Sequence, residues 1–274
     1  MRFSQEDFTL NIIKRLEEVW LECQRDFKET SSGIGYFFID DLLPTAQAMA
    51  LYEAFPATEA MVLKKSIRED KFVAAQMNKY DELLENIIYA FQDQKVVALI
   101  EKITGITQML PDENLYAGGI SMMGKGQFLN PHLDNSHDKD RNRWRVLNLL
   151  YYVTPDWHEE NGGNLELWPG GIDKEALRIA GSFNRLVVMA THNVALHSVS
   201  PVKTDGYRRC ISNYYFAKKP LRETDHFHVT SFRARPGHGI KDKILRADTW
   251  LRMSLRKVFK NGIVENPHVY KKKE

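Results

Sequence analysis

The chain has 274 residues, of which 43% are hydrophobic and 11% aromatic, enough to bury the core of one large soluble domain or two small ones. Its 38 Lys and Arg nearly balance its 36 Asp and Glu, so a net charge of +2 gives no case for a dedicated nucleic-acid binder. With only Cys23 and Cys210, far apart and without C-x-x-C spacing, a disulfide framework is excluded and a reducing compartment fits.

The N-terminus reads M-R-F-S-Q-E-D-F, acidic where a secretory leader would be apolar, and no apolar run approaches the roughly 18 residues of a membrane span. A soluble, cytoplasmic protein is therefore expected. Ser4 is placed to cap a helix whose apolar positions, Phe8, Ile12, Leu16, Val19, Trp20, Cys23 and Phe27, recur every three or four residues. Residues 30–35 break it, 35–39 (G-Y-F-F-I) read as a short buried strand, and Pro44 opens a second helix that Pro56 stops. Between Ala57 and Tyr80 the charges are dense and no period is visible, so a long surface loop is expected there, of the kind that serves as a lid or binding segment. Two helices follow, roughly 81–90 and 94–103, ended by Gly105.

After Pro111 the pattern turns to strands. The candidates are 115–123, 127–129, 145–153, 164–168, 185–190, 194–199 and 207–217, separated by Gly, Asn, Asp and Pro turns. Short strands so spaced indicate a sandwich or jelly roll. Beyond Pro220 the chain returns to polar loop and then to a helix near 242–259. The stretch from Lys241 to Glu274 holds ten Lys or Arg against four Asp or Glu, a solvated basic face or a docking element.

Chemistry concentrates at F128-L-N-P-H-L-D134. His132 and Asp134 stand two residues apart on an extended segment, so an imidazole and a carboxylate project on one side and can grip one metal ion. His197 is the expected third ligand, with His192 its weaker competitor. Two histidines and a carboxylate with open positions suit non-haem Fe(II). Downstream, H197-S-V-S-P-V-K-T-D-G-Y-R208-R-C-I-S212 sets His197 and Arg208 on strands expected to pair as a hairpin through a turn at 204–206. A buried guanidinium at Arg208 calls for an anionic partner, which a carboxylate-bearing cosubstrate would supply.

These residues carry a resemblance. G124-K-G-Q-F-L-N-P-H-L-D-N, R145-V-L-N-L-L-Y-Y-V-T-P-D-W157, G162-G-N-L-E-L-W-P and H197-S-V-S-P-V to G206-Y-R-R-C-I-S occur in the order found in Fe(II)/2-oxoglutarate-dependent oxygenases, and the chain resembles their prolyl-hydroxylase-like branch. The resemblance implies an α+β protein with a double-stranded β-helix (jelly-roll) core at 111–219. Mainly helical residues 1–110 would pack on it and a C-terminal helical extension would span 220–274, the whole forming a single oxygenase domain. It implies His132, Asp134 and His197 as iron ligands and catalytic centre, and Arg208 as partner of the distal carboxylate of 2-oxoglutarate, with Arg209 second choice. Tyr152, Leu150, Leu165, Val199 and Ser212 would line the cosubstrate pocket. Fe(II), 2-oxoglutarate and O2 are the implied cofactors, with ascorbate as reductant. One departure stands out, because Met122 and Met123 lie where many relatives have a cosubstrate-binding tyrosine.

The implied reaction is hydroxylation of an unactivated C–H bond coupled to conversion of 2-oxoglutarate to succinate, on a prolyl or other peptidyl residue. A free amino acid, a saccharide or a natural-product intermediate is the alternative, and a non-catalytic sensor that kept the metal site is another. Tyr214, six residues beyond Arg208, argues against nucleic-acid demethylases, which have a second arginine there. His137, His158, His226, His228, His238 and His268 are read as solvated, and Trp144, Trp157 and Trp168 as packing. A homodimer through the C-terminal extension is expected.

Overall fold

The computed structural model describes residues 3–116 and 118–259. Five helices and thirteen strands run in the order α1 (Gln5–Thr30), β1 (Tyr36–Ile39), α2 (Thr45–Ala54), β2 (Val62–Lys65), β3 (Glu69–Ala74), α3 (Glu82–Phe91), α4 (Gln94–Thr104), β4 (Leu110–Pro111), β5 (Gly119–Met123), β6 (Phe128–Leu133), β7 (Trp144–Tyr152), β8 (Leu165–Leu167), β9 (Leu177–Ile179), β10 (Arg185–Ala190), β11 (His197–Val199), β12 (Arg208–Ala217), β13 (Ser231–Phe232) and α5 (Gly239–Val258). The strands form one antiparallel sheet in the order β1-β10-β7-β12-β5-β3-β6-β11-β8-β9, curled on itself into a jelly-roll half-barrel.

Side-chain alternation divides the sheet into two faces. On β7 and β10, Leu147, Leu149, Tyr151, Leu186 and Val188 pack outward against the apolar stripes of α1, α3 and α4. Their neighbours Leu150, Tyr152, Val187 and Met189 turn inward, where they meet Leu165, Leu167, Ile179 and Cys210. The helices follow from their sequences. Ser4 and Asp7 form a reciprocal capping box at the start of α1, Asp81 and Asp93 cap α3 and α4, and Gly105 ends α4 in the left-handed conformation.

Two expectations are corrected. Residues 57–80 are not a loop but largely a hairpin of β2 and β3, and β3 is built into the main sheet between β5 and β6. Its inward positions include Glu69 and Lys71, so the apolar alternation that signals a half-buried strand is missing from the sequence. Nor do His197 and Arg208 share a hairpin. β11 pairs with β6 and β8, whereas β12 pairs with β4, β5 and β7, so the segment between them crosses from one side of the barrel to the other. A strand that follows another closely in sequence is usually its neighbour, and here the wrapping of the jelly roll overrides that tendency.

α5 covers the end of the half-barrel beside β13. It docks through buried Leu245 and through the ion pair of Arg233 with Asp242 at 2.8 Å, while Arg252 and Asp248 pair within the helix at 3.0 Å. Asp248 also bonds Arg68 of the β2–β3 turn, so helix and hairpin are fastened together. The basic tail beyond Phe259, with His268, lies outside the described residues. Among the described residues, no helix is long and apolar enough to cross a membrane.

Candidate metal centre and cosubstrate pocket

His132 near the end of β6 and His197 at the start of β11 are cross-strand partners, with ring centroids 4.2 Å apart. Asp134, just past the end of β6, brings its carboxylate oxygens to 3.5 Å from His132 Nε2 and 3.7 Å from His197 Nε2. The three donor atoms lie within 4.8 Å of one another, a spacing in which one ion can touch all three. Both imidazoles are oriented by their own strands. His132 Nδ1–H donates to Asn130 O at 3.0 Å and His197 Nδ1–H to Ala195 O at 3.0 Å, which leaves each Nε2 lone pair aimed at the centre.

The charges suit a divalent cation. Burial, then the neighbouring His132, push His197 down to about 4, so it is the neutral ligating form near pH 7. Burial alone would raise the Asp134 pKa, but Arg145 and then the two histidines hold it well below the usual carboxylate range. Asp134 is fixed by Asn148, whose Nδ2 donates to Oδ2 at 2.6 Å, and by Arg145 Nη1 at 3.5 Å. The donor set, two imidazoles and one carboxylate on one side with open positions opposite, fits Fe(II). Removing the Asn148 bond by Asn148→Leu should weaken Fe(II) binding by about 10–100-fold, measured by anaerobic titration. An unchanged affinity would show that Asn148 is only packing.

Arg208 opens β12 and is 3% exposed. Its Nε donates to Gly163 O at 2.7 Å and its guanidinium lies 4.9 Å from the Tyr152 ring centroid, while Nη1 is buried with no hydrogen-bond partner among the described residues. A Cβ on Gly163, which has φ +66°, would stand 2.8 Å from Arg208 Cδ, so only glycine leaves room for this side chain. An orphaned N–H on a buried guanidinium fits the carboxylate of a 2-oxoglutarate-like cosubstrate. Arg209 faces the other way, bonding Tyr52 O at 3.0 Å and stacking on the Tyr52 ring at 4.0 Å.

Around Arg208, Tyr152 lies opposite Cys210 and Leu150 opposite Ser212 across β7 and β12, while Leu165 lies opposite Val199 across β8 and β11. His192 does not join the triad; its Nε2 is 3.0 Å from Ile34 O. Met122 packs outward with the helices and Met123 lies in a separate apolar cluster, so neither replaces the missing tyrosine. Trp157 and Trp168 are buried and bond Gly162 O and Ser198 Oγ, as packing residues do.

Two histidines read as solvated are buried instead. His228 and His137 sit behind the triad, and His137 Nε2 accepts from Arg256 at 3.3 Å. Burial first, then Arg256, Arg141 and Arg145, push His137 from 6.5 down to about 3. The unfolded chain therefore takes up a proton that the folded one refuses. The stability contributed by His137 is intact above about pH 6.5 and is lost progressively as pH falls toward 3. Urea midpoints at about pH 7 and pH 5 should differ more for the wild type than for His137→Gln, and equal differences would refute this.

Sequence reasoning passed over Arg145 and left Asn148 between a site residue and a core strand residue. Counting back by twos from Tyr152 through Leu150 puts a polar Asn148 on the inner face, a signal that was available. Arg145 breaks that alternation because β7 carries an extra residue opposite the Tyr215–Phe216 step, and such a bulge re-aims the side chain beyond it.

The curled sheet thus carries a His-Asp-His donor set of the kind that suits a non-haem iron. Residues 118–217 match the model of the 2OG-Fe(II) oxygenase superfamily, and His132, Asp134 and His197 all lie within the matched stretch. The fold is similar to a prolyl-4-hydroxylase from Pseudomonas putida (TM-score 0.53, 16% identity, covering 72% of this chain and 100% of that one). It is also similar to a prolyl 4-hydroxylase from Phytophthora capsici (TM-score 0.55, 18% identity, covering 95% of this chain and 82% of that one). A third likeness is to the α-ketoglutarate-dependent epimerase SnoN of nogalamycin biosynthesis (TM-score 0.51, 16% identity, covering 81% and 89%). No curated protein matches the chain.

Proposed function

We propose that the protein hydroxylates an unactivated C–H bond, with 2-oxoglutarate as cosubstrate. The buried triad, with both Nε2 lone pairs directed at one point, is the observation that carries this reading. Fe(II) with 2-oxoglutarate, when bound, supplies oxygen activation coupled to decarboxylation of the cosubstrate to succinate. The chain's own groups set the geometry. His132, Asp134 and His197 hold the metal on one side, Arg145 keeps the Asp134 carboxylate ionised and Asn148 orients it, and Arg208 receives the distal carboxylate of the cosubstrate. Tyr152 lies beneath the Arg208 guanidinium, while Leu150, Leu165 and Val199 wall the pocket against water and Ser212 offers it a hydroxyl.

The substrate reading is a prolyl or other peptidyl residue, supported by the prolyl-hydroxylase-like motifs. A second reading, a free amino acid or other small molecule, is favoured by the charged lining of the cavity described below. The proposal includes ascorbate as reductant and a cytoplasmic setting, the latter supported by Cys23 and Cys210 being buried and unpaired. It also keeps the single-domain reading, supported by the continuity of the sheet from β1 to β13, and self-association through α5, supported by its exposed Ile240, Ile244, Trp250 and Leu251.

The purified protein, supplied with Fe(II), 2-oxoglutarate and ascorbate in air, should form succinate. Proline-containing peptides or free amino acids that raise the rate should gain one oxygen atom per succinate. No succinate above a His132→Ala control would favour the sensor reading.

A further inference from the structure

The cavity that opens on the triad encloses about 410 Å³. Six cations line it, Lys64, Arg68, Lys71, Arg145, Arg252 and Arg256, against two carboxylates, Glu69 and Asp134. Both carboxylates are engaged, Glu69 with Lys71 at 3.0 Å and Asp134 with the metal centre. Asp248, outside the lining, bonds Arg68 and holds Arg252 at 3.0 Å. Loading the site does not discharge it, because a divalent metal ion and the 2-oxoglutarate dianion cancel.

The imbalance is sharpest at Arg145. Its side chain is 2% exposed and its Nη1 lies 3.5 Å from Asp134 Oδ2, yet Nε and Nη2 are buried with no hydrogen-bond partner among the described residues. The Tyr214 ring, 4.4 Å from the guanidinium, shields one face and accepts no hydrogen bond in the guanidinium plane. A guanidinium with two adjacent N–H groups unsatisfied is shaped for a bidentate oxyanion. The amide of an internal peptidyl residue offers a single neutral carbonyl oxygen and leaves the charge unanswered.

We propose that the substrate is a small organic anion whose carboxylate or phosphate seats on Nε and Nη2 of Arg145, with Arg252 and Arg256 of α5 as flanking cations. This rests on the oxygenase reading and names its substrate class. It gives α5, which lies beyond the matched residues 118–217, a part in substrate selection.

The test is anaerobic calorimetry on the full chain loaded with Fe(II) and 2-oxoglutarate. The probes are inorganic phosphate and the matched pair N-acetyl-L-proline and N-acetyl-L-prolinamide, which differ in one carboxylate. The visible band of the iron–cosubstrate chelate is recorded alongside. Phosphate and the acid should both bind, the acid about tenfold tighter than the amide. Arg145→Gln should remove that preference, and Arg252→Gln with Arg256→Gln should reduce it while the chelate band persists. If the band forms but neither anion binds, if acid and amide bind alike, or if the preference survives Arg145→Gln, the anion seat is overturned. Absence of the band in wild type would instead overturn the oxygenase reading. Phosphate binding without N-acetyl-L-proline binding would assign the seat to phosphate esters, and the reverse to carboxylates.

Discussion

Replacing His197 with alanine is expected to lower Fe(II) affinity by at least about a hundredfold and to abolish succinate formation. Loss of a residue that merely orients a ligand costs about 10–100-fold, and His197 is a ligand itself. Its Nδ1–H is tied to Ala195 O and its ring is buried, so no neighbouring nitrogen can swing into its place. His192, the other histidine on this stretch, is held against Ile34 O, and His192→Ala should bind iron as the wild type does. Anaerobic titration with Fe(II) and then 2-oxoglutarate, followed by the visible band of the chelate, separates the two. A band of normal strength in His197→Ala would remove the triad from the centre of this protein.

Arg208→Ala should raise the dissociation constant for 2-oxoglutarate by roughly thirtyfold to a few thousandfold. Truncating one partner of a buried, hydrogen-bonded charge pair costs about 2–5 kcal/mol, and each 1.4 kcal/mol is about tenfold. The expectation depends on the orphaned Nη1 and on the absence of a substitute from Met122 or Met123. Arg208→Lys should recover part of the loss, since it keeps the charge and gives up the planar fork. Arg209→Ala should leave cosubstrate affinity as it was, because Arg209 is spent on Tyr52 at the outer face. A threefold effect or less in Arg208→Ala, with iron binding intact, would mean that the centre does not use 2-oxoglutarate.

The parts of this protein legible in sequence were those whose signal is local. A capping box, a heptad-like stripe on α1, a left-handed glycine after α4 and an H-x-D on one strand all declare themselves within a few residues. The third ligand required the wider motif around His197, and the choice over His192 came from context. What stayed hidden depends on partners distant in the chain. β3 looked like a loop because its inward residues are charged, and its place in the sheet is set by β5 and β6, which come much later in the chain. Arg145 escaped notice because a one-residue bulge reverses its side. The supposed hairpin between His197 and Arg208 failed for the complementary reason, nearness in sequence being taken for nearness in the sheet.

The pairing of β1 with β10 sets a schedule for making this protein. Tyr36 faces Met189, so a strand synthesised early waits for one synthesised much later. At roughly 5–20 residues per second the delay is on the order of ten seconds, far longer than helix formation or collapse. During that interval α1 can already meet α3 and α4, whereas the edge of β1 has no final partner on the ribosome. The yield of active enzyme is thus governed partly by what shields that edge before the far strand arrives, a constraint of biogenesis written into the strand order rather than into the iron site.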